Sequence, residues 1–255
     1  MQETTDKKDM YDKRASLTEA IARYLKDDIN IAIAGFANNC IPVASIHEII
    51  RQGARNLTLS VQSSSICCEL LAGAMILNPE HLSIRKIDLS WGDRNTVGTA
   101  PLLRHLINNM RIKLDEYTDS GMTARFNAGA LGVPFQATVD HDGNDTEPTN
   151  SGKTITCPFT GEDVYLVPAC QPDLALIHVQ AADMYGNSRI FGDPSNCREI
   201  AQAAVNTIVT VEQIIGSESI QNYANLAEIP FHVISAVIDQ PFGATPGACY
   251  GNYGF

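Results

Sequence analysis

The segment Ala34-Gly35-Phe36-Ala37-Asn38-Asn39-Cys40-Ile41-Pro42 follows a short apolar run and precedes a stretch patterned as a helix. A glycine at such a turn uncovers backbone amides, and bare amides can meet a phosphate or the oxygen of a tetrahedral intermediate. Gly35 and Phe36 would supply main-chain donors, with Asn38 and Asn39 adding side-chain donors or orienting a substrate. A tight turn needing Gly35 for its dihedrals, with asparagines that merely form it, explains the same residues, so both readings stay open. The triple serine Ser63, Ser64 and Ser65 also ends a strand and opens a helix. Its hydroxyls and amides suit an acyl carboxylate or a phosphate, although helix capping alone accounts for one of the three.

Other chemistry-bearing residues read as structural. His178 lies inside an apolar strand and is expected to be a core histidine with a backbone partner, while Asp183 and Asn187 shape the turn beyond it. Arg125, on a helix of small residues, would pair with a substrate carboxylate or with a local acid such as Asp119, and the structural pairing is the preferred reading. Glu69 follows the serines closely enough to imitate a nucleophile, but a helical surface or interface carboxylate is the better reading. No Gly-x-Ser-x-Gly elbow exists for a serine hydrolase. Seven scattered cysteines form no Cys-x-x-Cys pair and stand at no zinc-like spacing from histidine, so no metal is expected.

The elements that must hold these residues alternate. Ser16 and Glu19 form a capping-box pattern ahead of a helix over residues 17–26, and a strand over 30–34 leads through Gly35 to a helix starting near Pro42. Strands over 57–61, 83–89 and 112–117 alternate with helices over 66–74, 101–109 and 122–130. Strands follow over 174–179, 188–191, 207–211 and 233–238, with helices over 196–205 and after Ser217. Such alternation predicts an α/β fold: an open, mainly parallel sheet with helices on both faces. One domain spanning 1–255 is expected, with residues 1–15 a flexible amino terminus and the polar stretch 140–152 an exposed loop.

The bulk composition removes whole classes. Eighteen basic residues against 29 acidic ones give a net charge of −11, the wrong sign for a partner of nucleic acid. Apolar runs fall short of the roughly 20 residues of a membrane helix, and no targeting segment is evident. A reducing cytoplasm suits seven cysteines, an odd number.

The segment 28–42 resembles the first signature of family I coenzyme A transferases, in which a hydrophobic strand leads into Gly-Gly-Phe and, after a spacer, a glycine and a proline. Gly35, Phe36 and Pro42 keep their places, whereas Asp28, Ala34 and Cys40 stand where that pattern has glycine. Arg125, Ala128, Gly129, Gly132, Val133 and Pro134 fall in the order of the family's amino-terminal halves. Pro168, Asp173, Ala175, His178, Ala182, Asp183, Gly186 and Asn187 fit its later pattern, and residues 207–215, with Glu212, match the next strand and helix. The opening Leu17-Thr18-Glu19-Ala20-Ile21-Ala22 and the tail around Pro241 to Pro246 look like the A-type chains of the glutaconate branch.

This resemblance implies a CoA-transferase or ribose-phosphate-isomerase-like sheet, and the A-type half of a heteromer moving CoA between carboxylic acids by a ping-pong route. It places the nucleophilic glutamate on a B-type partner, in a Ser-Glu-Asn-Gly-like turn that does not occur here, so no catalytic residue is expected on this chain. CoA thioester enters as substrate and no cofactor is permanently bound. Gly35, Phe36, Asn38 and Asn39 would then serve the oxyanion, Ser63, Ser64 and Ser65 the acyl or CoA moiety, and the tail 241–255 would line the subunit interface or acyl pocket. Two alternatives remain: a two-chain ring-opening CoA-thioester hydrolase on the same fold, and a non-enzymatic acyl-CoA or sugar-phosphate sensor.

Overall fold

The computed structural model describes residues 12–63, 66–91, 100–110, 112–138 and 150–254. In chain order the elements are α1 (Leu17–Tyr24), β1 (Asn30–Ile33), α2 (Val43–Gln52), β2 (Ala54–Ser63), α3 (Ile66–Leu77), β3 (Leu82–Trp91), α4 (Pro101–Asn109) and β4 (Lys113–Glu116). Next come α5 (Asp119–Leu131), β5 (Phe135–Thr138), β6 (Lys153–Thr156), β7 (Asp163–Pro168), β8 (Leu174–Ala182) and β9 (Ser188–Arg189). Then follow α6 (Cys197–Ala203), β10 (Asn206–Ile214), α7 (Ser217–Asn222) and β11 (Ala236–Asp239).

The main sheet runs β11-β10-β8-β1-β2-β3-β4 with every pair parallel, and β9 adds antiparallel to β8. From β1 the chain winds outward to β4, then returns to the other side of β1 at β8 and winds outward again. The order therefore reverses between β1 and β8, and open α/β sheets bind ligands outside the carboxyl ends of strands at such a reversal.

Strand periodicity divides the core. Ile31 and Ile33 of β1 face one apolar cluster with Ile21, Ile46, Ile49, Leu71 and Leu103 from α1 to α4; Ala32 and Ala34 face a second with Met122, Phe126, Ile200 and Ala201 from α5 and α6. Helices thus cover both faces, as the alternation predicted, and β8 is buried at every position.

Three features depart from the sequence reading. First, β5, β7 and β6 form a separate antiparallel sheet beside the segment read only as an exposed loop. Residues 139–149 of that segment lie outside the described ones, while Asn150 and Ser151 are anchored to Glu116 and Asp115. Second, residues 12–15 are tied down rather than loose: Lys13 and Ala15 exchange backbone bonds with Val237. Third, the strand read over 188–191 shortens to an antiparallel pair, and that over 233–238 begins only after a 3₁₀ turn, Phe231–Val233.

Candidate functional site

The loop after β1 emerges at the reversal between β1 and β8. Gly35 has φ +99°, and a Cβ there would stand 2.8 Å from the Cys40 carbonyl oxygen, so only glycine lets the loop fold back on itself. Phe36 and Asn39 exchange two backbone bonds, 3.2 and 2.9 Å, around Ala37 and Asn38. Ala37 (φ +53°) and Cys40 (φ +53°) both occupy the left-handed region. Asp28 does as well, at φ 65°. The pattern's glycines at positions 28 and 40 thus match a backbone demand that aspartate and cysteine meet here at some steric cost.

The main-chain donors expected in the loop already have partners, and both asparagines are engaged as acceptors. The Gly35 amide bonds the Cys197 sulfur, whose thiol burial pushes up to about 12. The Phe36 amide donates to the Asn39 carbonyl, and Asn39 Oδ1 accepts the Tyr250 amide at 3.0 Å. Asn38 is buried, and its carbonyl accepts the Ala248 amide at 2.7 Å. A long contact, the Ala37 amide on Ser63 Oγ at 3.3 Å, joins the loop after β1 to the end of β2. Ser63 ends β2 and is buried, whereas Ser64 and Ser65 lie outside the described residues.

On its flank the site is shaped by Gln62, one residue before Ser63. Its Oε1 accepts Ser195 Oγ at 2.8 Å and Asn196 Nδ2 at 2.9 Å, and Asn196 also donates to Thr123 Oγ1 at 3.0 Å. The ends of β2, α5 and the segment before α6 are thereby held around one rim. Gln62, Asn196 and Thr123 escaped the sequence reading, since nothing in their spacing brings them together.

Beneath the loop runs the chain's tail. Cys40 N donates to Ala248 O at 2.8 Å, and Cys40 and Cys249 bring their sulfurs to 3.8 Å. His178, fully buried, has side-chain partners rather than the expected backbone one: Nδ1 lies 2.9 Å from Thr210 Oγ1 and Nε2 lies 2.7 Å from Glu212 Oε1. Parallel pairing of β8 with β10 sets His178 beside Thr210, and the alternation brings Glu212 to the same face. Glu212 in turn accepts Tyr253 Oη at 2.7 Å and the Phe242 amide at 2.9 Å. Burial and the Glu212 carboxylate both raise the Tyr253 phenol.

Glu69, Arg125 and Asp183 are all engaged by partners within the chain. Glu69 is buried, not on the surface, and accepts the amides of Leu102 (3.3 Å) and Leu103 (2.9 Å). Arg125 pairs with Asp88 at 2.9 Å rather than with Asp119, donates to Pro168 O, and lies 4.2 Å over the Tyr117 ring. Asp183 takes the Tyr185, Gly186 and Asn187 amides, the turn-shaping role expected of it.

A family model described as coenzyme A transferase matches residues 14–240. The A-type chain of 3-oxoadipate CoA-transferase from Pseudomonas knackmussii is 35% identical over 93% of this chain and 82% of that protein. The A-type chain of glutaconate CoA-transferase from Acidaminococcus fermentans is 30% identical over 95% and 79% respectively, and its enzyme's crystal structure superposes with a TM-score of 0.84, covering 95% of this chain and 80% of that one. An uncharacterized protein of Archaeoglobus fulgidus is 33% identical over 94% of the chain, which spans about half (52%) of that relative's length. More distant, at 24% identity over 96% of this chain and 85% of that protein, is the IpdA subunit of a cholesterol ring-cleaving hydrolase of Mycobacterium tuberculosis.

Proposed function

The chain belongs to the coenzyme A transferase family, and on that premise we propose that it is the A-type half of a heteromeric enzyme moving CoA between carboxylic acids. Its B-type partner supplies the nucleophilic glutamate. That carboxylate attacks the thioester carbonyl, and collapse of the tetrahedral intermediate expels the CoA thiolate and leaves an acyl-glutamyl anhydride. The thiolate attacks the glutamyl carbonyl, freeing the first acid, and a second acid collects CoA by the reverse sequence.

One observation carries the reading: the chain aligns along nearly its whole length with A-type chains, while the carboxylate nearest a nucleophile's place, Glu69, is engaged by two helix amides. Oxyanion donors must already be in place when charge develops. Where the loop after β1 meets the end of β2, the Ala37 amide and the Ser63 hydroxyl are the groups we assign first, because their mutual bond is long, at 3.3 Å, and can yield to a stronger acceptor. Gly35, Phe36, Asn38 and Asn39 then act by fixing that loop, a change of role from direct donors. CoA thioester is substrate here, and no resident cofactor is required. We place the enzyme in the cytoplasm, where its cysteines persist as the thiols seen here.

The test is reconstitution. The purified chain alone should show negligible CoA transfer, and adding its B-type partner should restore it. Borohydride reduction during turnover, which converts a glutamyl thioester to an alcohol, should mark the partner only. Transfer by this chain without a second polypeptide, or marking of this chain, would sink the assignment. A complex that releases CoA to water but never to a second acid would favour the hydrolase reading.

A further inference from the structure

We infer that His178, Glu212 and Cys249 form a site for a zinc-class divalent cation beneath the loop after β1, with the neighbouring Cys40 moving in to complete it. The inference does not depend on the transfer chemistry, because it concerns a cluster on the inner side of that loop.

A ring nitrogen, a carboxylate oxygen and a thiol sulfur from His178, Glu212 and Cys249 all lie within 4.8 Å of one another. Cys40 stands beside the set, its sulfur 3.8 Å from that of Cys249, and would have to swing toward His178 and Glu212 to join an ion held by the other three. Two thiolates on a tetrahedral zinc, each about 2.3 Å from the ion, are separated by about 3.8 Å, the spacing already present. Two sulfurs, an imidazole and one carboxylate are also the donor types that zinc prefers over calcium or magnesium.

The surroundings orient the donors. His178 Nδ1 is occupied by Thr210 Oγ1, whose hydroxyl reaches the Ile177 carbonyl, so Nε2 is the nitrogen left to face an ion. Glu212 Oε2 is fixed by the Phe242 amide, and Gln180 Nε2 approaches Cys40 Sγ at 3.5 Å. Outer bonds of this kind fix tautomer and ring direction at metal centres. In the metal-free chain Nε2 and Oε1 are 2.7 Å apart and share a hydrogen bond. An ion would part them to about 3.3 Å, the spacing of nitrogen and oxygen on a tetrahedral zinc, and the proton shared by Nε2 and Oε1 would leave to solvent together with the proton of each thiol that binds.

Sequence spacing conceals this arrangement. Cys40 and Cys249 are 209 positions apart, and His178 and Glu212 are brought together by strand pairing. An ion there would pin the tail to β8, β10 and the loop after β1 at a single point.

The experiment uses the full chain in complex with its B-type partner, stripped with chelator and titrated with Zn²⁺ or Co²⁺ alone. We expect one equivalent per chain, a rise in the thermal midpoint, and with Co²⁺ the intense visible bands and thiolate charge transfer of a tetrahedral sulfur-bearing site. Cys40→Ser should weaken binding at least tenfold and lower the charge-transfer band, and Cys249→Ser should remove more of it. Both are nearly isosteric, so unchanged circular dichroism certifies their fold. Failure of the stripped complex to take up a stoichiometric ion overturns the site. So does equal binding by the doubly substituted Cys40→Ser, Cys249→Ser chain.

Discussion

Glu69 Oε1 accepts the amide of Leu103 at 2.9 Å, so a side chain in α3 caps the first turn of α4. Ala100, the residue before that helix, offers no side-chain cap of its own. A carboxylate also suits the positive end of the helix dipole. Glu69→Ala should therefore destabilise the chain by about 1–3 kcal/mol in urea unfolding by stranding the buried Leu103 amide, and Glu69→Gln by less. Transfer by the Glu69→Gln complex should stay within twofold of wild type; a collapse of turnover with stability intact would make Glu69 a reacting group after all.

Arg125 connects α5 to β3 through Asp88, with Tyr117 stacked on its guanidinium and Pro168 accepting its Nε proton. Removing one member of a buried pair leaves the other charge without compensation, so Arg125→Ala should cost about 3–5 kcal/mol. Arg125→Lys should rescue only part of this, because an ammonium cannot stack and fork at once. Equilibrium unfolding of the two variants reads the difference.

A pH window follows from the neighbouring cluster, in which Lys86 bridges Asp88 at 2.7 Å and Asp115 at 2.9 Å. Burial alone would raise the Asp115 carboxyl, but bonds from Lys86, Ser151 and Lys113 outweigh it and hold it below the ordinary range. Burial would likewise lower Lys86, yet its two carboxylates carry it above the usual lysine value. A depressed acid stabilises the fold above its unfolded pKa of about 3.9 and loses that contribution as pH falls through its folded value. A raised lysine contributes below about 10.4 and loses it as pH climbs through its own folded value. The stability gap between wild type and Asp115→Asn should be widest between about pH 4 and pH 10 and narrow on both sides. A gap independent of pH would show that the bridge contributes nothing by charge.

The parallel sheet was legible because strands such as β1 sort Ile31 and Ile33 to one face and Ala32 and Ala34 to the other, and turn residues separate them from amphipathic helices. The small sheet was not, because Lys153–Thr156 is exposed at every position and yields no apolar alternation. Its signal lay in β-branched residues on either side of the Gly161 turn. Of the candidate site, Gly35 was readable from its place after a strand. That the loop's amides would be taken up by Cys197, Asn39 and Ser63 was not, since those acceptors come from other strands and helices or from the turn's own closure. The same limit hid Glu69's role, whose partners lie 33 and 34 positions away.

Asp28 tests the backbone side of this. It is exposed and has φ 65°, a conformation aspartate tolerates and glycine adopts freely. Asp28→Gly should be neutral to about 0.5 kcal/mol stabilising, the relief of strain being offset by greater freedom in the unfolded chain, whereas a β-branched Asp28→Val should cost more than about 1 kcal/mol. Thermal midpoints compared at one pH decide between them.

Gly35→Ala carries the sharpest expectation, because strain and space act together. At φ +99° an alanine is disfavoured by its own Cβ, and that atom would stand 2.8 Å from Cys40 O and 3.0 Å from Asn39 O, both backbone. The loop must open to admit it, which disturbs the Phe36–Asn39 pair and the Ala37 contact with Ser63. The sheet beneath does not depend on that turn, so the chain should still fold and bind its partner. Displacing a positioning loop by about 1 Å can cost a hundredfold in rate, and turnover of the Gly35→Ala complex should fall by about that factor. If turnover stays near wild type while the loop is shown to have moved, the carboxyl end of β1 does not serve the reacting thioester, and its donors must be sought on the partner.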